Sequence, residues 1–175
     1  MTELQRQDGA ETHGFLGEEF LTWLWYRLEN EGGDFDLGDN LHVGVSLDDF
    51  LAFAPRDDDE TEHTLRKGTP SRSSEARAAL RAGRRLQRAK LVVALGERQW
   101  SFVLDASSMG LRSVKLPDDD PEAESPQERS RERIAHFLLL HDLVRRLYRE
   151  FLRVRLRRDY MRSDAEKQAA WMSGA

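Results

Sequence analysis

Between residues 126 and 158, apolar side chains return every three or four positions: Phe137, Leu140, Val144, Leu147, Phe151 and Val154. This is the repeat of one helix face. It predicts the longest element of the chain, an amphipathic helix whose apolar side other elements must cover. Arg146, Arg149, Arg153 and Arg157 recur there at steps of 3, 4 and 4. At about 100° per residue they fall on the opposite side of the same helix. Any fold must therefore bury one side of this helix and leave its cationic side in water.

Earlier segments supply the cover. Phe20, Leu21, Trp23, Leu24, Trp25 and Leu28 occupy nearly the whole circumference of a helix expected over residues 17–30, which suits a buried helix better than a base-stacking platform. Glu18 and Glu19 lie in its first turn, where the helix dipole favours acids, and Gly32-Gly33 end it. Short strand-like pieces follow at 35–37, 41–45 and 49–53, with a further one at 64–67. Ser73 then stands as an N-cap, Glu75 in the first turn and Gly83 at the C′ position of a short helix. Ala76, Ala79 and Leu80 form its apolar face, while Arg77 and Arg81 share another. The period then changes to two. Runs 90–95 and 98–104 flank Gly96-Glu97, a two-residue loop with glycine first as a type II′ hairpin requires, and Trp100, Phe102 and Leu104 alternate onto one face. A third strand is expected at 111–116, and an acidic, proline-containing linker at 117–127.

The order predicts an α+β fold in one domain over residues 14–158. It comprises a small antiparallel sheet or β-meander with a short helix, a buried N-terminal helix and a long C-terminal amphipathic helix. Residues 1–13 read as a disordered tail and 159–175 as a flexible one, ended by a contact from Trp171.

Several function classes lack their residues. With no cysteine there is no disulfide, thiolate metal site or cysteine nucleophile. Of the five histidines, the closest pair is His136 and His141, five apart, so their rings diverge on a helix. No GxSxG, Walker A, GxGxxG or HExxH pattern occurs. The run Asp57-Asp58-Asp59-Glu60 lacks ligand spacing and reads as a solvated turn. Neither catalytic residues, nor a metal, nor a cofactor is expected, although carboxylates from separate elements converging in a degenerate nuclease stay open. No apolar run approaches the roughly 20 residues of a membrane helix, and the polar N-terminus is unlike a signal peptide; a cytoplasmic protein without a membrane partner is expected.

Charge is unevenly placed. Residues 1–63 carry 17 acids against 3 arginines, whereas 64–175 carry 15 acids against 24 Lys and Arg. Either the C-terminal part meets an anionic partner, or the two parts pair with each other. The candidate contacts are Arg66, Lys67, Arg77, Arg81, Arg84 and Arg85 in one segment and Arg146, Arg149, Arg153 and Arg157 in the other. Arginine's planar fork pairs bidentately with phosphate, and the basic helix lacks base-reading polar residues. The expected partner is therefore double-stranded DNA bound without regard to sequence. The alternative is a protein–protein module that presents its long helix and binds no nucleic acid.

The stretch RKGTPSRSSEARAALRAGRRLQRAKLVVALGERQWSFVLDASSMGLRSVKLP resembles the C-terminal half of the bacterial recombination-associated protein RdgC family. The likeness lies in a basic strand before a short helix, an Ala82-Gly83-Arg84 end, a hairpin with W-x-F-x-L at 100–104, the strand at 111–116 and the long helix. FLGEEFLTWLWYRLENEGG is similar to the middle of divergent members, so the likeness covers about residues 15–156. It implies a non-specific duplex-binding homodimer, nucleoid-associated and linked to recombinase filaments. Lys67 and Arg84 stand where the family has basic residues. Family members are longer, and their ring-closing N-terminal portion has no counterpart here, so the chain reads as a shortened paralogue or a fragment.

Overall fold

Alternation decides which face of the sheet is covered. The computed structural model describes the backbone of residues 3–15 and the whole of residues 16–54, 62–66, 68, 72–118 and 125–174. Its elements are α1 (Glu3–Asn30), β1 (Asp34–Asp36), β2 (His42–Phe53), β3 (His63–Arg66), α2 (Ser74–Arg81), β4 (Leu86–Leu95), β5 (Arg98–Asp105), β6 (Gly110–Lys115), α3 (Pro126–Arg155), a 3₁₀ turn (Tyr160–Arg162) and α4 (Asp164–Ser173). All strand pairs are antiparallel, in the order β1-β2-β4-β5-β6, and β3 pairs with the far end of β2. The protein is an α+β fold.

Val43 and Val45 of β2, Ala89, Leu91 and Val93 of β4, and Trp100, Phe102 and Leu104 of β5 are buried on one face. α1 lies over β2 and β4. α3 packs beside it: the Phe151 ring sits 5.7 Å from both Phe20 and Trp23, and Tyr148 meets Phe20 edge-on at 5.3 Å. Fully burying one such ring is worth roughly 2–3 kcal/mol. Trp100 Nε1 donates to the His136 carbonyl at 3.2 Å, which ties the first half of α3 to β5.

Local chemistry sets the helix ends. Ser73 Oγ accepts from the Glu75 amide at the start of α2. At the other end the Gly83 amide donates to Leu80 and the Arg84 amide to Ala79, with Gly83 at φ 77°. This is the paired closure of a Schellman end, and it needs a residue at ease in the left-handed region. α3 opens with a reciprocal capping box between Ser125 and Glu128. At 1.5 Å per residue its 30 residues span about 45 Å.

The structure departs from expectation at five places. The strand expected from residue 90 begins at Leu86. The pieces at 41–45 and 49–53 are one strand, β2. Between Leu47 and Leu51 it bulges against β4, and Asp48 and Asp49 there each approach Lys90 Nζ at 2.9 Å. Residues 3–13, expected to be disordered, continue α1 toward the N-terminus; Glu3, Leu4, Gln5, Arg6 and Ala10 are good helix formers. Residues 160–173, expected to be flexible, fold as the 3₁₀ turn and α4, because Trp171 packs edge-on against Trp25 (5.3 Å) and Tyr26 (5.6 Å). α3 ends at Arg155, with Leu156 as C-cap, three residues before the expected end. The acidic run 57–60, Lys67 and most of the linker 117–127 lie outside the described residues.

One buried carboxylate shapes the turn after β5. Asp105 Oδ1 accepts from the Ser107 hydroxyl (2.6 Å) and amide (3.1 Å), while Oδ2 faces Arg112 at 2.7 Å. Burial pushes the Asp105 carboxyl up, but the Ser107 and Ser108 donors and the Arg112 guanidinium outweigh it and hold it below its ordinary value. A depressed folded-state pKa stabilises above the unfolded value near 3.9 and loses that contribution as pH falls through the folded value. Asp105→Asn is expected to cost about 1–3 kcal/mol at pH 7. In urea titrations at pH 7 and pH 3 the gap between parent and variant should narrow at the lower pH. A gap of equal size at both would refute this role for the charge.

Candidate nucleic-acid interface

The nine arginines singled out from sequence do not share one face; Lys67, the tenth candidate, lies outside the described residues. Arg146 is committed to the fold: Nε donates to Asp142 at 2.8 Å, while Nη1 reaches Asp39 at 3.1 Å and the Leu37 carbonyl at 3.3 Å. It fastens the β1–β2 connection to α3. Arg149 and Arg153 are exposed and line, with Arg146, Glu150 and residues 37–39, a polar notch of about 270 Å³. Arg153 pairs with Glu150 and is still 73% exposed. Arg157 lies beyond the end of α3 and forks onto Asp159 at 3.2 and 3.3 Å, so it does not continue the stripe.

The earlier segment is dispersed. Arg66 lies with its guanidinium 4.9 Å from the Phe50 ring centre. Arg77 pairs with Glu29 and sits 5.6 Å over Trp171. Arg81 leans over the end of α4, where a Cβ at Gly174 would meet its Nη2 at 2.2 Å. Arg84 and Arg85 line a cavity of about 450 Å³ together with Arg155, Glu18 and Glu19. Glu18 faces Arg85 at 3.3 Å, and Glu19 accepts from Arg155 at 2.8 Å. Arg155 projects roughly 120–180° around α3 from Arg146, Arg149 and Arg153, so the cavity and the notch open on different flanks.

The charge asymmetry of the sequence has a structural counterpart. Among the described residues, six basic side chains of the C-terminal part (Arg77, Arg85, Arg88, Lys90, Arg146 and Arg155) pair with acids that precede residue 63. Exposed pairs of this kind contribute little stability each, about 0–1 kcal/mol, yet they neutralise the charge locally. What stays outward along α3 is a ridge. Arg145, Arg149 and Arg153, spaced four residues or about 6 Å apart, are all exposed. Asp142 and Glu150 are the acids paired with it. Arg145 and Arg146 hold the Asp142 carboxyl below its ordinary value.

Arg145 was missing from the sequence candidates. Its four-residue step to Arg149 was visible there, but the choice of Arg146 as the start of the series hid it. Among the described residues no three His, Asp or Glu side chains converge as metal ligands would, and no helix is long and apolar enough to cross a membrane.

Comparison with family models, curated proteins and solved structures finds no match. The likeness to the RdgC family thus rests on the motifs quoted above.

Proposed function

We propose that the chain binds double-stranded DNA without reading its sequence, using the Arg145–Arg149–Arg153 ridge of α3 as its line of phosphate contacts. The carrying observation is that these three arginines are exposed at a regular four-residue step along one helix, and their acids, Asp142 and Glu150, lie on that same helix, whereas the other candidates are dispersed over several flanks. Guanidinium forks suit phosphate oxygens, and a straight helix offering one fork per turn tracks a backbone without needing base edges. The resemblance to the RdgC family adds two parts to this reading: the chain acts as a homodimer, and it serves recombination or replication as an accessory in the nucleoid.

Fluorescence anisotropy with a labelled random-sequence duplex between 50 and 200 mM salt tests it. Three phosphate contacts predict a log–log slope of about −3. Undetectable binding at 50 mM salt, or an affinity indifferent to salt, would rule the reading out.

A further inference from the structure

The first half of α3 carries a second, apolar surface that the fold does not use. Ile134 is 60% exposed, Leu138 63% and Phe137 44%. On the helix these three lie within about 100° of one another, turned away from His136, Leu140, Leu143 and Leu147, which are buried. Phe137, read from sequence as part of the core stripe, stands at its margin instead. The patch runs into a groove of about 360 Å³ whose walls include Met109 and Leu111 from the β5–β6 side and His141, Val144 and Tyr148 from α3. Contiguous exposed apolar surface of this kind marks interaction sites more often than chance placement.

The charges around it are selective. Arg131, Arg145 and Arg149, all exposed, flank the apolar stripe on α3. Asp142, the acid on the same flank, already bridges Arg145 and Arg146. A second copy docked here through its own α3 would bring the same arginines against one another, a like-charge contact that costs affinity. An acidic partner gains from the same arrangement.

We infer that the groove between α3 and the β5–β6 side, extended by Ile134, Phe137 and Leu138, is the docking site for an amphipathic helix with an apolar stripe and acidic flanks, supplied by another protein. Anchors at three- and four-residue steps enter the groove, and the flanking carboxylates meet Arg131, Arg145 and Arg149. The span from Ile134 to Tyr148 is about 21 Å, the length of some 14 helical residues. Its apolar anchors lie outside the proposed DNA-contacting ridge, but Arg145 and Arg149 belong to both, so duplex and helix compete for them.

A fluorescein-labelled 16-residue peptide, with leucine at i, i+3, i+4, i+7 and i+11 and glutamate on its flanks, is the probe; its counterpart with lysine for glutamate is the control. The acidic peptide is expected to bind the full chain and the lysine peptide not to. Ile134→Ser with Leu138→Ser, a change confined to exposed side chains, should weaken the acidic peptide at least ~10-fold. The same double variant should hold duplex DNA as the parent does, which separates this surface from the arginine ridge. Equal binding of both peptides, binding of neither, or an unaffected double variant would overturn the assignment. So would a parent dimer in sedimentation that the double variant dissolves, because a second copy would then be the occupant.

Discussion

Changing Arg145, Arg149 and Arg153 together to glutamate lowers affinity for a random duplex by on the order of 100-fold or more at 50 mM salt, and flattens the salt dependence of whatever binding remains. Three forks are lost and three repulsive charges put in their place, so the effect exceeds simple neutralisation. Arg146 is left out on purpose. Its guanidinium holds Asp39 and the Leu37 carbonyl against α3, and its loss would loosen the β1–β2 connection as well as remove a charge. Arg84→Gln with Arg85→Gln is the matched control; those side chains line the Glu18–Glu19 cavity on another flank, and their loss should cost far less affinity. If that pair proves as damaging as the triple change, the contact surface lies on the α2–β4 side and the ridge proposal fails.

The largest loss of stability is expected at Glu29. One oxygen of its carboxylate accepts from Trp25 Nε1 at 2.8 Å; the other accepts from Trp171 Nε1 at 2.9 Å and pairs with Arg77. A single acid of α1 thus gathers donors from α1, α2 and α4. Glu29→Gln keeps the shape but replaces one acceptor oxygen with an NH₂ group, which then faces an N–H donor. The amide can turn its oxygen to the fully buried Trp25 indole, which leaves its NH₂ against the half-buried Trp171 N–H and the Arg77 guanidinium. Hydrogen bonds to a charged group are worth about 1.5–3 kcal/mol, and a loss of that order follows. For a chain of this size that lowers Tm by roughly 3–12 °C. Thermal melts followed by circular dichroism measure it, with Glu31→Gln as reference. Glu31 pairs with Arg27 at the surface and its loss should stay below about 0.5 kcal/mol. Equal melting of the two variants would remove Glu29 from its position as a hub.

Elements whose signals are local were legible in the sequence. The cap of α2, its Gly83 ending, the two-residue turn at Gly96-Glu97 and the alternation of Trp100, Phe102 and Leu104 each depend on neighbours a few positions away. The parts missed depend on partners far along the chain. β2 reads as two pieces because Asp48-Asp49 interrupt its apolar pattern, and those acids make sense only beside Lys90. α4 is polar in composition, and what seats it is Trp25 and Glu29, over a hundred residues upstream. The same limit governs the site. The helical wheel located a cationic flank of α3 at Arg149 and Arg153, but no periodicity shows that Arg146 is tied to Asp39 or Arg85 to Glu18.

The aromatic packing of α1 also sets a timetable for synthesis. Phe20 and Trp23 are closed over by Phe151, and Trp25 by Trp171. At 5–20 residues per second, roughly 6–25 s pass between the making of Trp25 and that of Phe151. For that interval the sides of α1 that Phe151 and Trp171 close lie open, although β2 and β4, made earlier, can already cover the side facing the sheet. Holdase chaperones bind such surfaces, so the newborn chain, more than the finished protein, is the form that depends on their protection.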